Sequence, residues 1–329
     1  MHKCSGWQPS APRQNQEKQM SSPAPRVFSA EETRQLIAFG PLRQHILDAA
    51  LQYAAGQIHS PDRQVLTVPG SKDGVLLSMP CTAQDICAHK LISLLPDNPS
   101  QNRPTIQGMV SVLDSATGVP LFVLDGPTVT ARRTAALSMA GLQLFLEHEP
   151  RTIVIIGAGS QADGHVQAIA ELYPEAAVHI AARAQSWAKA QAFCERHAGL
   201  GIRLQVTDLN QLPEQFDAVI TLTTAVEPVY HAPPLAGRLI IGVGAFRSHM
   251  VEVASETVMN SLCYVDDLVG AQHEAGDYIQ AKKDWNEVST LAQAIESGVD
   301  YSHPIMFKTV GCAAWDLAAA RCARAAAGL

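Results

Sequence analysis

The stretch that most constrains this chain is Arg151-Thr152-Ile153-Val154-Ile155-Ile156-Gly157-Ala158-Gly159-Ser160-Gln161-Ala162. A β-branched run ends abruptly at two glycines spaced G-x-G, and helix-forming residues follow. Strand, tight turn and helix in that order are the opening of a dinucleotide-binding βαβ unit. Gly157 suits the tight turn, Gly159 lets a pyrophosphate approach the backbone, and Ala162 gives the small third position where helix packs on strand. The unpaired N–H groups at the helix start would hold the phosphate charge, with Gly157, Ala158, Gly159, Ser160 and Gln161 around it. Glycine turns between strands and helices are common, so the motif gains its weight from what flanks it.

The flanks agree. Strand-like runs at 153–156, 178–181, 218–222, 239–243 and 264–265 alternate with helical stretches to 172 and over 187–197. That rhythm predicts an α/β fold with a doubly wound parallel sheet. Ahead of it, 65–68, 75–77, 90–92, 109–113 and 121–124 are short β-prone runs separated by turn residues such as Pro69-Gly70, Asp73-Gly74 and Thr117-Gly118. This part reads as a strand-rich α+β unit. It is introduced by an S-x-x-E capping box at Ser29–Glu32, whose helix is expected to end at Gly40-Pro41, and by a second helix through Ile46, Leu47, Ala50 and Tyr53. A long helix over 127–147 joins the two units. From Met306 the chain is expected to return to helix, alanine-rich from 311 to 327 and packed back on the first unit. Residues 1–26 are rich in Gln, Ser and Pro and read as a disordered extension, within which Met20 is a second candidate start.

Length and composition set limits. At 329 residues two domains are expected, and 47% apolar against 17% charged residues is ample for substantial cores. A formal charge of −7 leaves no basic stripe for nucleic acid. No apolar run approaches the ~20 residues that span a bilayer, and no apolar segment follows Lys3 as a secretion signal would require. The seven cysteines form no C-x-x-C pair, which disfavours a metal site or a disulfide framework and suits a reducing cytoplasm.

The second strand of the nucleotide unit ends in Ala181-Ala182-Arg183-Ala184-Gln185-Ser186. NAD-binding units usually carry a carboxylate here for the ribose 2′-hydroxyl. None is present, and Arg183 could instead pair with a 2′-phosphate, which points to NADPH while leaving NADH possible. The bland alternative is a surface arginine on a loop. Thr223 and Thr224 follow the fourth strand, at the carboxyl edge where such ligands sit, and Val243 is expected against the nicotinamide half.

Further motifs converge. Thr130-Ala131-Arg132-Arg133-Thr134-Ala135-Ala136 resembles the T-x-x-R-T-A-A signature of the ornithine cyclodeaminase/μ-crystallin family. Met79-Pro80 resembles its M-P turn, Ala88-His89-Lys90-Leu91-Ile92 its strand lysine, and Val243-Gly244-Ala245 its V-G-[AGS] segment. Glu274-Ala275-Gly276-Asp277 and Phe307-Lys308-Thr309-Val310-Gly311 resemble its E-[SA]-G-D and F-K-[ST]-x-G. The resemblance runs in order from 29 to 327. It implies a substrate-binding and dimerisation domain over 27–127, closed by 305–329, around a Rossmann-type domain over 128–304, in a homodimer. Cyclodeaminases carry V-G-G-D, whereas this chain has Val243-Gly244-Ala245-Phe246. The missing aspartate disfavours cyclodeamination, and Phe246 would narrow and dry the site. The ending from Val310 to Ala318 looks most like the family's reductases of cyclic ketimines, Δ1-pyrroline-2-carboxylate and Δ1-piperideine-2-carboxylate.

Reduction of such an imine needs a fixed carboxylate, a protonated C=N and a nicotinamide against the imine carbon. Arg63, matching the family's first-domain arginine, is assigned to the carboxylate. Arg133 is a second carboxylate clamp or a cofactor-phosphate clamp, with Thr134 beside it on the cofactor side. Arg132 should leave by another helix face. Lys90 could hold the carboxylate, or supply or stabilise the proton on the imine nitrogen. Thr309 could bond the carboxamide or the substrate. His89, His249 and His273 are tempting acids, but a lone histidine is more often structural; Asp277 could orient groups in the cleft or merely cap a turn. Rival readings remain: an ornithine cyclodeaminase, an alanine- or opine-type dehydrogenase, and a non-catalytic NADPH-dependent binder. Ring-size preference and the proton donor stay open.

Overall fold

The computed structural model describes residues 24–329. Most of the expected N-terminal extension, Met20 included, lies outside them, but its last residue, Arg26, already pairs with Phe122 in a sheet. The first unit comprises β1 (Arg26–Val27), α1 (Ala30–Leu36), α2 (Phe39–Ala54), β2 (Gln64–Thr67), β3 (Val75–Thr82), β4 (Ile86–Leu94), β5 (Ile106–Asp114) and β6 (Pro120–Asp125). Its sheet runs β1-β6-β5-β4-β3-β2, antiparallel except for β1 beside β6. The capping box forms: Ser29 Oγ accepts from Glu32 N while the Glu32 carboxylate accepts from Ser29 N. Gly40 and Pro41 do not end α1, which stops at Ile37. They lie in the first turn of α2, where a proline's missing N–H has no intrahelical partner to lose.

Helix α3 (Gly126–Phe145), capped by Asp125 accepting from Thr128 N, is buried along most of its length and packs on both units. The second unit follows as β7 (Thr152–Ile156), α4 (Ser160–Leu172), β8 (Ala177–Ala182), α5 (Trp187–Arg196), β9 (Arg203–Asp208), β10 (Ala218–Thr221), β11 (Leu239–Gly242), α6 (Ser255–Met259), β12 (Leu262–Val265), α7 (Leu268–Glu274), α8 (Gly276–Ala281), β13 (Val288–Thr290), α9 (Leu291–Ser297) and β14 (Ile305–Lys308). Its eight strands are all parallel, ordered β13-β12-β14-β11-β10-β7-β8-β9. The winding reverses between β7 and β10, so the carboxyl ends of these two strands open the crevice in which doubly wound sheets bind ligands.

In the second unit three strands, β9, β13 and β14, were not anticipated, and β14 corrects two expectations. Residues 305–308 are not the approach to a helix. They form a fully buried strand inserted between β11 and β12, and the chain rejoins the first unit only after Lys308 rather than at 305. A short apolar run buried on both faces has no period that separates strand from helix. The last helix, α10 (Ala313–Ala327), packs against α2, α3, β3 and β4 as expected, its alanines allowing close approach and Trp315 filling the space between. Among the described residues no helix is long and apolar enough to cross a membrane.

Candidate active site

The G-x-G turn behaves as its sequence predicts. Gly157 has φ 119°, and a Cβ there would stand 2.8 Å from the Leu222 carbonyl oxygen. At Gly159 a Cβ would meet nothing within 4 Å, which leaves open space above the start of α4, whose N-cap offers no side-chain acceptor. The Gln161 Oε1 is buried without a partner. A groove runs from Thr223 and Thr224 past Gly157, Ala158 and Gly159 to Ser186, Arg183 and Lys189. Open backbone, free helix N–H groups, an unpaired amide oxygen and two cations at the far end fit a dinucleotide. Ser160 turns to an adjoining opening beside Thr130 and Arg132, which Gln161 also borders.

One carboxylate shapes the nearer end of this groove. Glu252, fully buried, accepts from Thr223 N at 2.6 Å and Thr223 Oγ1 at 2.8 Å through one oxygen. Its other oxygen accepts from Thr221 Oγ1 at 2.9 Å, Gly244 N at 2.7 Å and Ala245 N at 3.0 Å. The loops after β10 and β11 are thereby tied together, so closely that a Cβ on Gly244 would lie 2.0 Å from the Thr223 carbonyl oxygen. Burial pushes the Glu252 carboxyl above its usual range, opposed chiefly by the Lys308 charge. Asp277 proves to be a buried brace outside the cleft: it accepts from Glu252 N and Val253 N, and its other oxygen lies 3.7 Å from Lys308 Nζ.

Where the two units meet, a cleft opens. Arg63, Lys90, Arg133, Thr134, Gln161, Val243, Phe246 and Thr309 all border it, together with the apolar side chains of Leu77, Met79, Ile92, Leu94 and Ile106. Leu222, Thr223 and Thr224 border cleft and groove alike, so the two are continuous. Alternation along β4 turns Lys90 inward with Ala88 and Ile92. Its Nζ lies 2.7 and 2.9 Å from the two carboxylate oxygens of Asp316, and Arg133 Nε lies 3.5 Å from one of them. Burial draws the Lys90 pKa down to about 8, with Asp316 opposing. Arg63 Nη2 donates to the Gly311 and Val310 carbonyls at 2.6 and 3.2 Å and pairs with Glu274 at 2.9 Å, bridging the two units. Asp266 holds the loop that supplies these carbonyls, accepting from Val310 N, Gly311 N and Trp315 Nε1.

The remaining residues sort plainly. Arg132 leaves by another face: its guanidinium lies 3.7 Å over the Phe39 ring and its Nε donates to the Ile37 carbonyl. The Thr134 hydroxyl turns back to the Thr130 carbonyl. His89 faces away from Lys90 and contacts Ser78 at 2.9 Å, while His249 and His273 are exposed. His165 is buried between Ser138 and the Gln161 carbonyl, and burial lowers its pKa to about 4, which marks it as structural. Sequence reasoning gave no role to Asp316, Glu252, Asp266 or the Lys308 amine. Asp316 had left a signal, being the one charged residue between Thr309 and Arg321.

The ornithine cyclodeaminase/mu-crystallin family profile matches residues 24–327. The Delta(1)-pyrroline-2-carboxylate/Delta(1)-piperideine-2-carboxylate reductase of Azospirillum brasilense is 46% identical over 303 residues, 92% of this chain and 96% of that protein. Delta(1)-pyrroline-2-carboxylate reductase 2 of Burkholderia ambifaria is 45% identical over 298 residues, 91% of this chain and 94% of that one. Among solved structures, Thermococcus litoralis Delta(1)-pyrroline-2-carboxylate reductase, in complex with NADH and L-proline, aligns with a TM-score of 0.81 at 27% identity, covering 92% of this chain and 97% of that one.

Proposed function

The chain belongs to the ornithine cyclodeaminase/μ-crystallin family, and from that premise we propose that it reduces cyclic ketimines with NADPH, Δ1-pyrroline-2-carboxylate to L-proline and Δ1-piperideine-2-carboxylate to L-pipecolate. The observation that carries this reading is the convergence of Arg63, Lys90 and Arg133 on one apolar-walled cleft continuous with the glycine-turn groove. Three cations face two acids there, Asp316 and Glu274, so the site has one positive charge to spare for a substrate carboxylate.

Arg63 and Arg133 hold the carboxylate, Arg63 exchanging part of its contact with Glu274 for it. The ring lies against Leu77, Met79 and Ile92, and Lys90 in its ammonium form faces the imine nitrogen. When bound, the reduced nicotinamide supplies the reducing equivalent for the imine carbon, with Thr223, Thr224, Val243 and Thr309 on its side of the cleft. Phe246 stands on the cleft where the cyclodeaminases have aspartate, which removes the acid that ornithine deamination would use and favours a dry reduction. For NADPH over NADH, the support is Arg183 and Lys189 at the groove's far end with Gln185 and Ser186 between them. Leu66 and Met109 stand exposed on the face of the smaller sheet that points away from the cleft, which supports a homodimer formed through that face. The six cysteines among the described residues are all free thiols, consistent with a reducing cytoplasm.

The test is oxidation of NADPH with each imine, run beside NADH. Rapid oxidation of NADPH with either imine is the expected result. Faster reaction with NADH removes the role given to Arg183 and spares the reaction. No oxidation with either imine refutes the reading, and ammonia release from ornithine becomes the next assay.

A further inference from the structure

The last helix sends a single acid beneath the cleft. Asp316 comes from the first turn of α10 and is 1% exposed. Both of its oxygens lie within 3 Å of Lys90 Nζ, and the Arg133 Nε is 3.5 Å from one of them. Lys90 and Arg133 border the cleft, whereas Asp316 does not. A ligand therefore meets the two cations, with the acid hidden behind them.

From this juxtaposition we infer that Asp316 is the positioning residue of the reaction, keeping Lys90 an ammonium aimed at the imine nitrogen and holding Arg133 ready for the carboxylate. The inference rests on the reductase reading and deepens it. A lysine on a buried strand tends to lose its proton, because burial disfavours the charged form. The groups facing Lys90 from the elements packed on it are Asp316 on α10, Arg133 on α3 and Arg63 ahead of β2. The two arginines add to the lowering caused by burial, and Asp316 alone opposes it. On β3, the Cys81 thiol is pushed up to about 12, chiefly by burial and then by Asp316, so it stays neutral in the working range. The balance closes as follows. The imine carbon takes one hydrogen together with the electron pair of its C–H bond from the reduced nicotinamide, which is oxidised by two electrons. The ring nitrogen takes the proton from Lys90, which regains one from solvent.

The experiment is kcat/KM against pH, with NADPH saturating, for the wild-type protein, Asp316→Asn and Asp316→Glu. Wild-type activity should hold on the acid side and fall as pH rises through the Lys90 pKa near 8. In Asp316→Asn that alkaline limb should move to lower pH by about one unit or more, the effect of losing an adjacent opposite charge, while NADPH affinity is kept. Asp316→Glu keeps the charge, so its limb should stay at the wild-type pH with kcat reduced. An unmoved limb in folded Asp316→Asn overturns the inference, even if its melting temperature drops, since that pattern means a merely structural acid. If Asp316→Asn does not fold, a limb that moves in Asp316→Glu overturns it. The Lys90 13Cε resonance, assigned by its loss in Lys90→Met, reads the same titration without turnover. If the wild type consumes neither imine, the reductase reading falls alone, and the NMR titration of Lys90 in the two Asp316 variants still decides the coupling.

Discussion

At the scale of single residues, the cleft depends on one glycine as much as on its charges. Gly311 sits at φ +77°, and a Cβ there would come within 2.4 Å of Arg133 Nη1. Gly311→Ala should therefore strain the backbone by about 1–2 kcal/mol and push the guanidinium aside. The expected outcome is a raised KM for the imine with a smaller change in affinity for the nicotinamide cofactor, read from steady-state kinetics and cofactor fluorescence. Unchanged KM would show that Arg133 does not hold the carboxylate. Residue types were legible where a motif named them. Arg63, Lys90 and Arg133 were all expected at the site, and all border one cleft. Their partners were not legible. Asp316 lies 226 positions from Lys90 and Glu274 is remote from Arg63, and no spacing rule relates residues that meet only across a fold.

At the scale of elements, α10 carries the acid of the site inside a run of alanines that lets the helix lie close to α2, α3 and β4. Ala318 is fully buried in that packing. Ala318→Leu should cost about 1–3 kcal/mol of stability, as overpacking a filled core does, and should lower kcat because the helix that aims Asp316 is displaced. Urea unfolding and turnover measured on the same preparation check both parts; a fall in stability with kcat unchanged would uncouple helix from site. Composition found this helix as an alanine-rich stretch and the strands β7, β8, β10 and β11 as apolar, β-prone runs set between helical ones. It did not find β14, a short strand buried on both faces, nor the placement of Gly40-Pro41 inside α2, which depends on where α1 stops.

At the scale of the whole molecule, the smaller sheet buries one face and leaves the other partly exposed. The edge strand β2 is exposed along its length, and on the face away from the cleft Leu66 is 56% and Met109 49% accessible. If two copies pair through this sheet, Leu66→Asp should give a monomer by size-exclusion chromatography with light scattering; an unchanged dimer mass would move the interface elsewhere. The sequence by itself determined the nucleotide unit, because strand, glycine turn and helix are local structures fixed by neighbouring residues. It also marked the cationic residues of the cleft, because signature motifs tie residue type to position. Only the tertiary structure decided that Asp316 stands behind Lys90 and Arg133, and that Glu252, Asp277 and Lys308 brace the loops after β10 and β11. It also decided that β14 completes the larger sheet before the chain returns to the first unit. The physical reason is common to all three: buried charges and two-sided strands are stable only with partners that folding brings from far along the chain.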